Sequence, residues 1–232
     1  MSSEETEKQS LRLTKELCND IFGQIDHFVI GGWATTAYCG NVRFTADVDI
    51  MARPLTTMPV IKAFDEDWTT KKVFYGVQAE HKKLGIQVHI NTISYMLDRT
   101  TNTKIPVLND LFEKINKAKV RGHYCPDTIE IPISPFNYLL TLKAIPNRAK
   151  DDFDFILLLL NKNYSTEEFK RLLSRCSNTK PFLDKCKRIL NKDYFYSLPQ
   201  KLITYERFDL MKYNAMSRKI DEIKRALSNA PH

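Results

Sequence analysis

Two aspartates, Asp47 and Asp49, in the stretch D-V-D-I-M, have the types and spacing that most clearly indicate a binding or catalytic site. Side chains at i and i+2 of a β-strand point to the same face, so this alternation predicts a strand that presents both carboxylates together. Neighbouring carboxylates repel each other and lose hydration, and a hard divalent cation relieves both costs. Magnesium commonly uses one or two carboxylates together with substrate phosphates, so the pair predicts a platform for a metal-bound triphosphate.

A glycine pair precedes the acidic strand in the sequence. The apolar run over residues 27–30 predicts a buried strand, which ends in Gly31-Gly32 and turns into a helix from about Trp33 to Cys39. Glycine has no Cβ, so backbone amides can approach a phosphate at this turn, and the helix N-terminus favours an anion. Arg43 and Thr45, just before the acidic strand, can hold phosphate oxygens or order the loop.

Helices and strands must position these residues. We expect a frayed tail over residues 1–10, a helix to about Gly23, and further strands over 72–77 and 85–93. The stretch from Leu108 to Val120 is amphipathic and basic. After Pro135 the pattern becomes helical, and a last helix is predicted from about Tyr205 to Leu227. The order predicts an α+β fold in which helices pack on a sheet, followed by a C-terminal helical region.

Residues 28–51 resemble the motif of minimal nucleotidyltransferases of the polymerase-beta superfamily, and most closely the AbiEii/AbiGii-type proteins, several of which are toxins of toxin–antitoxin pairs. That motif is an apolar strand, G-G-x-A, a helix and R-x-T-x-D-h-D-h, where h is apolar, and every position is filled here. A later S-P-x-x-L-x-x-x-K segment and an R-x-K-D-x-x-D helix start are similar over residues 134–154. The resemblance covers roughly residues 25–160 and implies a nucleotidyltransferase-type mixed sheet. The change from a mixed to a helical pattern predicts a nucleotidyltransferase-like domain over residues 1–133 and a helical domain over residues 134–232.

The resemblance further implies an enzyme that moves a nucleoside monophosphate from an NTP to an acceptor and releases pyrophosphate. Magnesium or manganese would be held by Asp47 and Asp49. Lysines would neutralise phosphate charge, which is most of what a phosphoryl-transfer catalyst supplies. The implied catalytic residues are Asp47, Asp49, His89 and Lys143, and the implied nucleotide-binding residues are Gly31, Gly32, Arg43, Thr45, Arg148, Lys150 and Asp151.

The sequence departs from the superfamily pattern at His89. The superfamily usually has a third carboxylate on a later strand, and Val88-His89-Ile90 stands in its place. Neutral imidazole is a poor magnesium ligand. His89 can instead be the base toward the attacking hydroxyl, since its reference pKa is near 6.5. It can equally be structural, or mark a protein that binds nucleotide and turns over slowly or not at all, which is the alternative function.

The charge and composition of the chain limit which binding partners and which cellular location are expected. The formal net charge is +7, from 35 Lys plus Arg against 28 Asp plus Glu, and a basic balance favours polyanions such as RNA. An RNA end, a protein side chain and a small alcohol all remain open as acceptors, and an antitoxin protein as a partner. The cationic residues that could contact RNA are Lys114, Lys117, Lys119, Arg121, Arg218, Lys219, Lys224 and Arg225.

The five cysteines form no C-x-x-C pair, the start of the chain is polar, and no apolar stretch is long enough for a membrane span. We therefore expect a cytoplasmic protein.

Overall fold

The structure is a computed structural model. It describes residues 2–23, 25–54, 56–62, 64–202, 204 and 206–228, without the side chains of residues 20, 21 and 58. Contacts divide the chain into two compact units. The first comprises Met1–Met96 and Val107–Pro135, and the second comprises Leu97–Pro106 and Phe136–His232. The domain boundary at residues 133 and 134 stays a prediction.

A seven-stranded mixed sheet forms the first unit. Its central strands are β1 (His27–Val29) and β2 (Val48–Ala52), which pair antiparallel. The strands β3 (Trp68–Val73), β4 (Gly76–His81) and β5 (Gln87–Asn91) extend it beyond β2 in the order β3-β4-β5-β2, and β5 pairs with β2 in parallel. A separate two-stranded sheet contains β6 (Tyr95–Asp98) and β7 (Thr103–Pro106). On the other side of β1 lie β9 (Thr128–Ile133), parallel to β1, and then β8 (Asn116–Arg121).

Among the described residues of the first unit, four helices accompany this sheet. They are α1 (Ser3–Glu16), which continues into a π-helical turn over Leu17–Ile21, α2 (Gly31–Cys39), α3 (Thr57–Lys62) and the short α4 (Asp110–Glu113). The core between sheet and helices is apolar, and Leu11 of α1, Trp33 of α2 and Ile50 of β2 are at most 1% exposed. Burial of such side chains is the main force that holds helices on a sheet.

The predicted frayed tail over residues 1–10 is wrong, because α1 begins at Ser3. The Ser2 hydroxyl accepts a hydrogen bond from the Glu5 amide at 3.1 Å, so it caps the helix. The stretch has few apolar residues, but Glu7 and Ser10 are both fully buried. A helix that buries polar side chains lacks the apolar period by which sequence patterns reveal helices.

The single strand predicted over residues 72–77 is also wrong, since a hairpin turn interrupts it. Strand β3 ends at Val73 and β4 begins at Gly76, and these two residues are paired. Gly76 has φ of +147°, and an added Cβ would lie 2.2 Å from the Ile90 carbonyl oxygen. The aromatic pair Phe74-Tyr75 continues the apolar pattern through the turn, which is why the two strands look like one.

The basic stretch Leu108–Val120 contains α4 and most of β8. On β8 the lysines Lys117 and Lys119 and Arg121 are exposed, whereas Val120 is buried. Strand β8 is one edge of the seven-stranded sheet, and the other edge, β3, exposes Lys71 and Lys72. Both edges of the described sheet therefore carry cationic side chains.

Apart from the segment Leu97–Pro106, which contains β7, the described part of the second unit is helical. Its helices are α5 (Phe136–Ala144), α6 (Ala149–Leu160), α7 (Thr166–Leu173), α8 (Lys180–Ile189), α9 (Lys192–Lys201) and α10 (Leu210–Ser228). Phe155 of α6, Phe169 of α7 and Phe182 of α8 form a buried aromatic cluster with ring centroids 5.7 to 6.3 Å apart. The start predicted for the last helix, Tyr205, lies outside the described residues, and α10 begins at Leu210.

A buried charge network joins three of these helices. Asp152 of α6 is fully buried and accepts hydrogen bonds from Lys185 Nζ at 2.6 Å, Arg188 Nε at 2.7 Å and the Tyr194 hydroxyl at 2.6 Å. Burial alone would raise the pKa of Asp152, but the hydrogen bonds and charges of Arg188 and Lys185 hold it below its usual value. Burial acts the opposite way on the partner and lowers the pKa of Lys185 against the attraction of Asp152. The aspartate has three donors, so its charged form is the one that the site stabilises.

The α+β class predicted from the sequence is confirmed: a mixed sheet with packed helices is followed in the chain by a helical region. Within the described ranges, no helix is both long enough and apolar enough to cross a membrane.

Candidate active site

The turn between β1 and α2 brings the backbone of Gly31 close to the side chain of Asp49. Gly31 has φ of +68°, which L side chains rarely adopt, and it begins α2 directly after Ile30. A Cβ on Gly31 would lie 2.2 Å from Oδ2 of Asp49. The amide of Ile30 also donates to the Asp49 carbonyl at 2.9 Å. The glycine turn and the second aspartate of the motif are therefore in direct contact.

Gly32 makes the matching contact with the loop before the acidic strand. A Cβ at Gly32 would lie 2.6 Å from Cγ2 and 2.8 Å from Oγ1 of Thr45, whose side chain is buried. Arg43 donates from Nη1 to the Phe44 carbonyl at 3.1 Å and to Thr45 Oγ1 at 3.5 Å. Thr45 and Arg43 therefore lie in contact with each other, and Thr45 lies against the glycine turn, whereas the roles predicted for both residues toward a nucleotide stay predictions.

Asp49 is the second residue of β2, and Asp47 directly precedes the strand. Burial alternates along the strand: Asp47 is exposed and Asp49 is half-buried, whereas Val48 and Ile50 are fully buried. This pattern directs both carboxylates away from the core, because neighbouring side chains on a strand point to opposite faces. The N-terminal amides and positive dipole end of α2 begin beside Asp49, so the region combines a carboxylate pair with an anion-binding helix start.

His89 lies beside Asp49 on the neighbouring strand. The two residues are paired in the parallel register of β2 and β5, and His89 Nδ1 is 3.2 Å from Asp49 Oδ1. Their side chains are 31% and 32% exposed, so solvent and small ligands reach both groups. His89, which was singled out from the sequence, is therefore adjacent to the second aspartate of the motif.

The other predicted site residues belong to the second unit. Lys143 Nζ lies 3.2 Å from Asp151 Oδ1 and 2.8 Å from Asp154 Oδ2, and all three side chains are buried. Arg148 Nε donates to Asp151 Oδ2 at 2.5 Å. Lys150 is exposed on the first turn of α6. The structure brings Lys143, Arg148 and Asp151 together in one network, and their roles toward a nucleotide stay predictions.

Asp154 was not assigned a role from the sequence, although it stands three residues after Asp151 and so shares its helix face. With it, Lys143 faces two buried carboxylates, so its charge is neutralised within the network. The signal for Asp154 is present in the sequence, because Asp154 is the last residue of the R-x-K-D-x-x-D helix start.

The oxygen donors near the glycine turn determine whether a divalent cation fits the site. Over the part of the chain that the structure describes, no group of three or more His, Cys, Asp and Glu side chains is arranged to hold a metal ion. Asp47 and Asp49 remain as two oxygen donors on an accessible face, beside a helix N-terminus that a phosphate can approach. Two carboxylates plus phosphate oxygens are an ordinary donor set for magnesium, so the residues fit a metal that binds together with its nucleotide.

Neither a protein-family model nor a curated protein sequence matches this chain. Among solved structures, JHP933 from Helicobacter pylori is similar at a TM-score of 0.51 and 16% identity, over 98% of this chain and 94% of that chain. A candidate nucleotidyltransferase from H. pylori is similar at 0.49 and 15% identity, over 100% and 99% of the two chains. The antibiotic-resistance factor ANT(2'')-Ia is similar at 0.41 and 11% identity, over 95% of each. Only the first value exceeds 0.5, so the chain shares a fold with JHP933, and the likeness extends no further than the fold.

Proposed function

We propose that the protein is a metal-dependent nucleotidyltransferase of the polymerase-beta kind. The observation that carries the proposal is the contact between the Asp49 carboxylate and the Gly31 turn, with His89 on the other oxygen of the same carboxylate. It joins the two halves of the motif, R-x-T-x-D-h-D-h and G-G-x-A, where the end of β1 meets the start of β2. Chance resemblance of two short motifs would not require their key atoms to touch.

In the proposed reaction an acceptor hydroxyl attacks the α-phosphorus of an NTP. A new P–O bond forms to the acceptor, the bond between the α-phosphorus and the bridging oxygen breaks, and pyrophosphate leaves. The amides at Gly31 and Gly32 and the N-terminus of α2 bind the triphosphate, and Arg43 and Thr45 hold the loop over it. Magnesium or manganese, held by Asp47 and Asp49, would neutralise phosphate charge and orient the attacking and leaving oxygens.

His89 is the proposed base for the acceptor hydroxyl. In the tautomer that carries the proton on Nδ1, His89 donates to the Asp49 carboxylate across the 3.2 Å contact, and Nε2 is then the basic nitrogen of the ring. Asp49 thereby orients the ring and stabilises the imidazolium that forms. The exposed fraction of His89, near one third, gives an acceptor room to reach it.

The test is incorporation of label from α-labelled NTPs in the presence of magnesium. Purified protein should transfer label to an acceptor in a mixture of RNA, protein and small alcohols, and Asp49→Asn should reduce transfer by about 10³-fold or more, as expected for loss of a charge that acts in the transition state. Glu66→Gln, which removes an exposed carboxylate of the same unit, is the matched control and should transfer normally. Equal labelling by wild type and Asp49→Asn would reject the site.

A second candidate function is nucleotide binding without turnover, and the observation that favours it is His89 itself. If imidazole cannot replace the carboxylate, the wild type should gain thermal stability with NTP but release no pyrophosphate. His89→Asp should then create turnover, since it restores the third carboxylate beside Asp49. Rapid turnover by the wild type, together with a loss in His89→Asp, would exclude this candidate and support His89 as the base.

The finer assignment, an AbiEii-like toxin with an antitoxin partner and an RNA acceptor, rests on the motif resemblance and the net charge of +7. Expression of a toxin should arrest growth, and Asp49→Asn should relieve the arrest. Growth that is unaffected by wild-type expression would count against the toxin role and leave the transferase reaction itself open to the labelling test.

A further inference from the structure

Glu7 of α1 is a carboxylate with no exposure to solvent, and backbone amides surround it. Its Oε2 accepts hydrogen bonds from the Tyr124 amide at 2.6 Å and the Cys125 amide at 3.1 Å, and its Oε1 accepts from the Thr45 amide at 3.4 Å. Successive amides that converge on one oxygen form an anion-binding nest. This side chain therefore joins three distant parts of the first unit: α1, the motif loop and the loop after β8.

Gly122 shows how closely the carboxylate is enclosed. A Cβ at Gly122 would lie 2.5 Å from Glu7 Oε2 and 3.0 Å from the Cβ of Cys125. The Glu7 oxygens are fixed by their amide donors, so they cannot move away from an added methyl without losing hydrogen bonds. Gly122 is thus a second residue through which the same carboxylate can be displaced.

The loop that Glu7 holds is the loop of the candidate site. Thr45 packs against Gly32, and Asp47 follows two residues later. One turn further along α1, the Ser10 hydroxyl accepts a hydrogen bond from the Trp33 indole at 3.1 Å, in the first turns of α2. The same face of α1 therefore holds both sides of the Gly32–Thr45 contact.

We infer that Glu7 is a positioning residue of the nucleotide site: its carboxylate fixes the Thr45 amide, and so sets the loop against the Gly31-Gly32 turn where the triphosphate binds. This inference rests on the proposed function. Glu7 does not touch the nucleotide. It acts through Thr45, and its loss should impair nucleotide binding more than the chemical step.

The direct test is the split between KM and kcat in Glu7→Gln. The amide side chain has nearly the same shape, but its NH₂ group cannot accept from a backbone N–H, so at least one amide is left unpaired. We expect KM for NTP to rise by about tenfold and kcat to change much less. Gly122→Ala should raise KM in the same way without altering the charge of α1.

Two controls separate this role from ordinary loss of stability. Glu4→Gln removes an exposed carboxylate from the same helix and should leave KM unchanged. Val60→Ala removes buried methyl groups from α3 and should lower the unfolding temperature without raising KM. If Glu7→Gln matches either control in KM while the wild type is active, the inference is wrong and the proposed function stands.

Amide hydrogen exchange without nucleotide tests the tether independently of activity. In Glu7→Gln, exchange should accelerate by about tenfold at Thr45, Tyr124 and Cys125, because their shared acceptor is weakened. Faster exchange with an unchanged KM would show a merely structural role and overturn the inference. A wild type that neither binds nor transfers NTP would instead reject the proposed function, and the inference with it, before any variant is compared.

Discussion

At the scale of single residues, Asp49 is the centre of the candidate site. Its Oδ2 faces the position that a Gly31 side chain would take, and its Oδ1 faces His89 Nδ1. A half-buried carboxylate without a partner would ordinarily rotate among several rotamers. Here the contact with His89 and the space beside the Gly31 turn favour one orientation of the Asp49 carboxylate.

Gly31→Ala should inactivate the protein. The new Cβ would lie 2.2 Å from Asp49 Oδ2, and the residue would also carry the cost of φ +68°, about 1–2 kcal/mol. We expect loss of nucleotide-dependent stabilisation and of transfer, measured by thermal shift and by labelling.

Gly40→Ala is the matched control for Gly31→Ala. Gly40 has φ of +82°, but an added Cβ would meet nothing within 4 Å, so that variant tests backbone strain alone. It should be somewhat less stable than the wild type and bind nucleotide normally. Equal activity of the two alanine variants would show that the contact with Asp49 is unimportant.

At the scale of elements, the parts of the site with a regular pattern could be predicted. The alternation in residues 47–51 and the apolar run before Gly31 correspond to β2 and β1. Glu7 could not be predicted, because its donors Thr45 and Cys125 are 38 and 118 residues away and no local pattern links them. The register that places His89 beside Asp49 is likewise a long-range pairing, although the departure from the motif marked His89 in advance.

Ser10→Ala tests how α1 is attached to α2. It removes the acceptor of the buried Trp33 indole N–H, and an unpaired buried donor costs about 1–3 kcal/mol. The free energy of unfolding, measured in urea, should fall by that amount. Ser3→Ala, at an exposed position of the same helix, should change it by less than about 0.5 kcal/mol. Equal stability of the two variants would mean that the indole finds another partner.

At the scale of the whole molecule, buried charges are concentrated in the second unit. Asp152 and Lys185 are both fully buried, and Lys143 is nearly so beside Asp151 and Asp154. Removing one partner of a buried ion pair strands the other, so such networks are sensitive to substitution and to protonation. The acid stability of the protein should therefore depend on the helical unit.

Asp152→Asn should lower the free energy of unfolding at pH 7 by about 3–5 kcal/mol. The pKa of Asp152 is lower in the folded protein than in the unfolded chain, so its contribution is complete above about pH 5 and is lost as the pH falls below about 4. The difference in the free energy of unfolding between wild type and Asp152→Asn, measured by urea unfolding at several pH values, should shrink as the pH falls from about 5 to below about 4.

Asp184→Asn, at a partly exposed position of α8 where the carboxylate is 3.7 Å from Lys187, is the control for Asp152→Asn. It should cost less than about 1 kcal/mol at every pH, because exposed ion pairs contribute little. If the difference in the free energy of unfolding between wild type and Asp152→Asn does not change with pH, the pKa of Asp152 is not lowered in the folded protein.

The cationic edge strands have a consequence for how the protein behaves in concentrated solution. Strands β3 and β8 are the outermost strands of the described sheet, and edge strands are the places where a strand from another molecule can pair with a sheet. Lys71, Lys72, Lys117 and Lys119 lie on these strands, so two molecules meeting edge to edge bring like charges together. Aggregation should therefore be slow in dilute buffer and accelerate at high ionic strength, where this repulsion is screened.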